Sequence, residues 1–304
     1  MLIFLQDTGT AIMKRKIQLS LRIWFIIFAG ISWADQKIIQ ISLLNGPYLG
    51  QKPPGVTPEI FAPGIVSVEK FSEFVCLFSP EGNECIFDKH GDDEYPSGAV
   101  FITRIENGKW TEPQIHPLFA KFDDVFLPTL SPDGNIWFFT SKAIPVPGGI
   151  KKIIPLYFMK KTESGWSEPK YLTQSIHASM TLDGTLYVNS GREIKSYPEF
   201  KSIVDLYGLL PFETGHPVIS PDGSYLIFDN RKMAGQHPCK LFVIFKKGEY
   251  WTDPISLDKY IKQNAFCAWI TFDGKYIFFH SLDTSKGNIY WVSAEIVEKL
   301  KSGL

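Results

Sequence analysis

The stretch HPVISPDGSYLIFDN, residues 216–230, contains the pattern of a strand, a tight turn and a second strand. Its centre, Ser220-Pro221-Asp222-Gly223, is typical of a type I turn closed by a glycine in the left-handed conformation. The flanking runs PVI and YLIF are apolar, as expected of strands that are buried on both faces. The stretch therefore predicts a buried β-hairpin.

Four further stretches repeat this hairpin, each with a hydroxyl residue three positions before a glycine and Asp or Glu one position before it. They are FVCLFSPEGNECIFDK, FLPTLSPDGNIWFFTS, IHASMTLDGTLYVNSG and FCAWITFDGKYIFFHS, aligned on Gly82, Gly134, Gly184 and Gly274. Successive aligned glycines, with Gly223 included, are 52, 50, 39 and 51 residues apart. Five copies at such a period indicate an array of similar structural units.

Most hairpins are followed by a third apolar run and then by a recurring tag. The tags are Trp110-Thr-Glu-Pro113, Trp166-Ser-Glu-Pro169 and Trp251-Thr-Asp-Pro254. Because proline is tolerated on an edge strand and not in a central one, each tag predicts the outermost strand of a sheet. Four antiparallel strands in a unit of this length form a propeller blade.

The ends of the chain predict how the ring closes. The last hairpin is followed by a third strand and a helical tail, EIVEKLKSGL, but by no tag. The segment GVTPEIFAPGIVS, residues 55–67, resembles the missing outer strand, so an N-terminal strand is expected to complete the last blade. The prediction is an all-β fold, a single propeller of five four-stranded blades, with six blades as the alternative. The short interval before Gly223 indicates a trimmed third blade.

The S-P-D-G-x-x-[IL]-x-F hairpin resembles the WD-like propeller repeat of the TolB and tricorn-protease type over most of residues 55–294. The whole arrangement is similar to a group of exported bacterial propeller proteins. Relatives with this repeat include periplasmic interaction scaffolds, peptidase gating domains and some polysaccharide lyases, so the resemblance implies a fold more than an activity. Leu182, where the repeat commonly has proline, departs from the pattern.

The N-terminus predicts an export signal. From Met13 onward the chain has a basic segment, the apolar run IWFIIFAGI and a small-x-small site at Ser32-Trp33-Ala34. The run is far shorter than the roughly 20 residues that span a bilayer. We expect a signal peptide at 1–34, cleavage after Ala34, a propeller domain at 35–304, and a periplasmic or secreted protein with no integral membrane segment after cleavage.

Charge excludes some partners. The 304 residues carry 31 basic and 32 acidic side chains, a formal net charge of −1, with no long run of one sign. Nucleic-acid binding is therefore not expected. We expect a monomer that binds a protein or a glycan.

Two of the four cysteines flank the first turn. If Ser79 pairs with Asn83 across that hairpin, Cys76 and Cys85 lie on opposite faces of the sheet. On that register the sequence predicts no disulfide between them.

Two columns of the repeat supply candidate site residues. Seven positions before the aligned glycine, three consecutive blades have His177, His216 and Cys267. Imidazole and thiolate suit zinc or copper, so these residues are either a transition-metal site or packing between blades. No other cofactor is predicted.

Ten positions before the glycine every blade has a polar residue, which would suit a small polar ligand or a sugar or would simply form solvated loops. The ligand-binding candidates from this column and from nearby loops are Asp124, Gln174, Glu213, Asn264, Arg192 and Arg231. Catalytic motifs such as G-x-S-x-G, H-E-x-x-H and a P-loop do not occur in the sequence. We therefore expect a non-enzymatic exported scaffold that binds protein or glycan, with a carbohydrate-active hydrolase or lyase as the alternative.

Overall fold

The computed structural model describes residues 44–91, 98–146, 148, 154–190, 200–210, 214–230, 238–283 and 287–303. Its contacts divide the chain into two units, Met1–Leu44 and Asn45–Leu304. The expected signal peptide at 1–34 lies outside the described residues. The second unit folds into five small sheets arranged in a ring, which confirms the predicted five-bladed β-propeller.

The N-terminal strand β1 belongs to the last blade, as predicted. It spans Glu59–Ile60 and pairs antiparallel with the last strand of the chain. Strands β2–β6 form blade 1, and their bounds are Cys76–Phe78, Glu84–Lys89, Ala99–Glu106, Lys109–Trp110 and Gln114–Ile115. Strands β7–β11 form blade 2, and their bounds are Val125–Leu130, Ile136–Ser141, Pro155–Thr162, Gly165–Trp166 and Lys170–Gln174.

The third blade is the trimmed one. Its strands β12–β14 are Ala178–Met180, Thr185–Val188 and Ser202–Asp205. Three strands of this blade lie among the described residues, and β14 runs parallel to β13, so the expectation that all strands of a blade are antiparallel is wrong here. Parallel pairing needs a long crossover, and the chain between Val188 and Ser202 is long enough to provide one.

The last two blades follow the common pattern. Strands β15–β19 form blade 4, and their bounds are Gly215–Ile219, Tyr225–Asp229, Leu241–Lys247, Tyr250–Trp251 and Ile255–Ser256. Blade 5 contains β1 and the strands β20–β22, Ala265–Ile270, Tyr276–Ser281 and Asn288–Ser293. Helix α1, Glu295–Lys301, buries Ile296 and Val297 in the core between blades 4 and 5.

The tryptophan tags occupy the outer edge, as predicted. In blades 1, 2 and 4 the outer strand is split into two short segments, and both segments pair with the third strand of the blade. Pro113, Pro169 and Pro254 lie in the breaks, where no ladder hydrogen bond is required of them.

The predicted register of the first hairpin is wrong by one residue. The Ser79 N–H donates to Glu84 O at 3.0 Å, so the loop is one residue longer than expected. Cys76 pairs with Phe87 and Cys85 pairs with Phe78, which places both thiols on the same face of the sheet. Their Sγ atoms lie 3.7 Å apart, and all four cysteines of the chain are buried.

Candidate functional site

A cavity of about 230 Å³ opens at the channel mouth, the end of the inner strands opposite the hairpin turns. We call it the channel-mouth cavity. Its walls come from the beginnings of inner strands and from the ends of their neighbours. The lining residues are Phe74, Phe126, Leu127, Thr140, Ser141, Lys142, Ile154, Ile176, His216 and Cys267.

The inner strands bulge where they reach this cavity. In β7, β15 and β20 the register of pairing with the next strand shifts at a β-bulge, within residues 126–129, 215–218 and 266–269. The bulged residues Leu127, His216 and Cys267 have positive φ angles of 48°, 36° and 50°. Such backbone is costly for residues other than glycine and is common at binding sites, where a bulge re-aims a side chain. Two of the three predicted metal candidates therefore point into the cavity.

His216 is held by a buried carboxylate. Its Nδ1–H donates to Asp229 Oδ2 at 2.8 Å, and the same oxygen accepts from the Cys267 N–H at 3.2 Å. A Cβ atom on Gly215 would overlap Asp229 Oδ1, so only glycine lets the carboxylate lie against this backbone. Blades 4 and 5 are thus joined at the cavity through one aspartate.

Blade 1 contains a corresponding pair. The Asp88 carboxylate accepts from His90 Nε2 at 2.8 Å and from the backbone N–H groups of Phe74 and Val75 at 2.8 Å and 2.9 Å. The His90 ring stacks on Phe126 with the centroids 5.0 Å apart. Asp88 and Asp229 were not among the predicted site residues. Both stand six positions after the aligned glycine, in IFDK and IFDN, which is the signal that would have found them.

The third metal candidate serves a different purpose. His177 donates from Nδ1 to Pro217 O at 2.9 Å, and its Nε2 lies 3.5 Å from the Thr129 hydroxyl. Burial lowers the pKa of His177 to about 4, so the ring is neutral at physiological pH. Within the described ranges no group of three or more His, Cys, Asp or Glu side chains is placed to hold a metal ion. The metal site remains a prediction without a ligand set in this part of the chain.

The predicted polar ring is dispersed. Asn264 accepts from the Cys239 N–H at 2.6 Å, and its own N–H donates to Asp283 Oδ1 at 3.0 Å, so it joins blades 4 and 5. Asp124 is half-buried with a φ of 60°, and Gln174 lines a separate polar cavity. The other three candidates, Glu213, Arg192 and Arg231, lie outside the described residues.

The hairpin turns use their own acidic residues. Four of the five turns contain aspartate, and in each the Ser or Thr hydroxyl three positions before the glycine donates to that aspartate at 2.5–2.7 Å. The hydrogen bonds from the Thr181 hydroxyl and from Thr185 lower the pKa of Asp183 to about 2. These carboxylates stabilise turns at the end of the strands opposite the cavity.

The fold and the cavity define a five-bladed β-propeller with a small apolar cavity at the mouth of its channel. No protein-family model and no curated protein sequence matches the chain. No helix of the described residues is both long and apolar enough to cross a membrane.

Solved propeller structures do match it. TolB from Acinetobacter baumannii aligns with a TM-score of 0.45 and 14% identity, over 74% of this chain and 52% of that one. The tricorn protease aligns with a TM-score of 0.40 and 12% identity, over 74% of this chain and 25% of that one. A glycoside hydrolase aligns with a TM-score of 0.40 and 12% identity, over 81% of this chain and 93% of that one. At these identities the likeness concerns the fold alone.

Proposed function

We propose that the chain is an exported binding propeller that holds a protein partner at the channel mouth. The observation that carries this proposal is the size and chemistry of the channel-mouth cavity. At about 230 Å³ it is smaller than the roughly 300–1,000 Å³ of most small-molecule sites, and its walls are mainly apolar. A cavity of this kind suits one apolar side chain of a partner, the usual anchor of a protein interface.

The walls are fixed before a partner arrives. The Phe126 ring is stacked against His90, and Phe74 lies 5.0 Å from the rings of both His90 and His280. Rigid walls lower the entropy lost on binding. Lys142 is exposed at the rim, 5.8 Å above the Phe126 ring, and gives the cavity a positive edge. An apolar anchor next to an acidic residue is the partner motif that these features favour.

Selection of peptides tests this proposal. A random peptide library displayed on phage is panned against the wild-type protein and against Ile154→Asp, which puts a charge on the cavity wall. Ile154 is 36% exposed, so the variant should fold. Ile115→Asp is the matched control, because Ile115 is 43% exposed on the outer strand β6 of blade 1.

We expect peptides with an aromatic or aliphatic anchor that bind the wild type and Ile115→Asp and lose at least about tenfold in affinity for Ile154→Asp. Peptides that bind all three proteins equally would contradict the proposal.

Export is tested separately. The mature protein should be recovered from the periplasm or the medium, and its intact mass should show that Asp35 is its first residue.

A second candidate is a carbohydrate-active hydrolase or lyase at the same mouth. The observation that favours it is His216, whose ring is oriented by the buried Asp229 and lines the cavity. A histidine held by a carboxylate in this way can act as a general base. Turnover of a polysaccharide that is lost in His216→Ala and retained in Ile115→Asp would replace the binding proposal by this one.

A further inference from the structure

A larger cavity lies at the other end of the ring, among the hairpin turns of blades 3, 4 and 5 and the first turn of helix α1. Its volume is about 560 Å³, within the range of ordinary small-molecule sites, and we call it the turn-face cavity. The hairpin turns and the helix that surround it all lie within the described residues. The charges on these elements can therefore be read directly.

Two walls of this cavity come from departures from the hairpin repeat. Where blades 1, 2 and 4 have a proline after the hydroxyl residue, blade 3 has Leu182 and blade 5 has Phe272. Both side chains line the cavity, and Leu182 is 62% exposed. The Leu182 N–H donates to Pro221 O at 2.7 Å, a hydrogen bond that a proline at 182 could not make. The two departures give the cavity an apolar border.

The lining also carries an excess of negative charge. Its charged residues are Asp222, Asp273, Glu295, Glu298 and Lys275. Lys275 Nζ lies 3.0 Å from Asp273 Oδ2, so these two charges compensate each other. Of the other three carboxylates, only Glu295 has a cation nearby, the Nζ of Lys299 at 3.6 Å on the same helix. The net charge of the lining therefore favours a cationic ligand.

Tyr225 adds a hydroxyl group that faces these carboxylates. The residue is only 6% exposed and lines the cavity. Burial raises the pKa of Tyr225, and the carboxylates of Asp222 and Glu298 raise it further, so the hydroxyl lies near both of them. Among the described residues neither the Tyr225 hydroxyl nor the Glu298 carboxylate has a hydrogen-bond partner. The Tyr225 oxygen is not sealed from solvent, so a ligand in the cavity can contact it.

The carboxylates are too dispersed for a metal ion. Within the described residues no three His, Cys, Asp or Glu side chains are placed to hold one. An organic cation with several ammonium groups suits such an arrangement better, because each ammonium can pair with a different carboxylate. The methylene chains between the ammonium groups would cover Leu182 and Phe272, and an ammonium can also lie on the ring of Tyr276, which lines the cavity.

We propose that the turn-face cavity binds a polyamine. One ammonium group of the ligand donates hydrogen bonds to Tyr225 Oη and to the Glu298 carboxylate, and its methylene chain packs on Leu182. This site and its ligand differ from those proposed for the channel mouth, so each can fail without the other.

Isothermal titration calorimetry on the full chain tests the proposal. The probes are spermidine and putrescine, with 1,4-butanediol as the neutral counterpart of putrescine and calcium chloride as the metal. The variants are Glu298→Gln, Tyr225→Phe and Leu182→Ala. The control is Glu163→Gln, which makes the same change of charge at an exposed residue in the turn between β9 and β10 of blade 2.

Spermidine should bind with a Kd below about 1 mM at low salt, and more weakly in about 150 mM NaCl because salt screens exposed charges. Its affinity should fall about three- to tenfold in Glu298→Gln and about threefold in Tyr225→Phe and Leu182→Ala, but not in Glu163→Gln. Tyr225→Phe should also keep or raise the melting temperature of the free protein, because it removes a hydroxyl that has no partner among the described residues. A merely structural hydroxyl would show the opposite.

Four results would overturn the proposal. They are no binding of spermidine at about 10 mM, an affinity that is equal in wild type and in Glu298→Gln or Tyr225→Phe, binding of 1,4-butanediol as tight as that of putrescine, and tighter binding of calcium than of spermidine. Peptide binding at the channel mouth should not change in Glu298→Gln or Tyr225→Phe, which keeps the two proposals separable.

Discussion

Phe61 joins the two ends of the ring, and its replacement by alanine tests how the propeller closes. It directly follows β1, and its N–H donates to Ile289 O at 2.8 Å. The side chain is fully buried. Its ring lies 5.0 Å from Phe278 and 5.1 Å from Trp291, both in blade 5, and 5.8 Å from Phe78 in blade 1.

The expected loss of stability follows from this burial. Replacing a buried phenylalanine by alanine costs about 3–5 kcal/mol, which includes the cavity left behind. Three aromatic partners on both sides of the junction place Phe61→Ala in the upper half of that range. For a domain of this size each kcal/mol lowers the melting temperature by about 2–4 °C, so a fall of about 8–20 °C is expected.

Urea denaturation of single and double variants measures the effect. The cycle of Phe61→Ala with Phe78→Ala should show a coupling of about 0.5–1.5 kcal/mol, because the rings touch across the junction. The matched cycle pairs Phe61→Ala with Phe228→Ala, a fully buried ring in blade 4, and should be additive within about 0.5 kcal/mol. A loss below about 1 kcal/mol in Phe61→Ala, or no coupling to Phe78, would refute closure by the N-terminal strand.

Four further outcomes are expected. Asp222→Ala should lower the unfolding free energy measured in urea by about 1 kcal/mol, because it removes the hydrogen bonds from the Ser220 hydroxyl and the Ser224 N–H, much as the loss of a helix cap does. The affinity for selected peptides should not change. The pKa of Asp183 is about 2 in the folded protein and near 3.8 in the unfolded chain, so its ionised carboxylate stabilises the fold above about pH 4. In thermal melts followed by circular dichroism, the wild type should lose this stabilisation as the pH falls from about 4 to about 2. The same pH dependence of stability in Asp183→Asn would contradict this. Burial raises the pKa of Glu73 to about 8, so wild-type stability should fall relative to Glu73→Gln as the pH rises from about 4.5 to about 8, and parallel curves would contradict this. In the reduced native protein Cys267, which lines the channel-mouth cavity, should react with maleimide before the other three buried cysteines, as peptide mass spectrometry can show.

Much of the fold was readable because each blade repeats the same turn chemistry. The hydroxyl, the acidic residue and the left-handed glycine recur at fixed positions, and the proline tag recurs at the outer edge. The closure of the ring could be predicted because the outer-strand pattern is missing after the last hairpin and present before the first one. Blade 3 was only partly readable, because no residue pattern announces that β14 runs parallel to β13.

The site was less accessible from sequence for a physical reason. Leu127, His216 and Cys267 share a left-handed backbone at a bulge, although leucine, histidine and cysteine have no common preference for it. The column was therefore found from the sequence, but the bulge that sets its geometry was not. The register of the first hairpin depended on one residue of loop length, which moved Cys76 and Cys85 onto one face.

The most direct test of the account is hydrogen exchange of the wild-type protein with and without a peptide selected by it. If the channel mouth is the binding site, protection should appear at residues 126–127, 140–142, 216 and 266–267, and the turn centred on Gly223 should exchange as before. Protection at the turns, or along the outer strands, with no change at the channel mouth, would contradict the central claim.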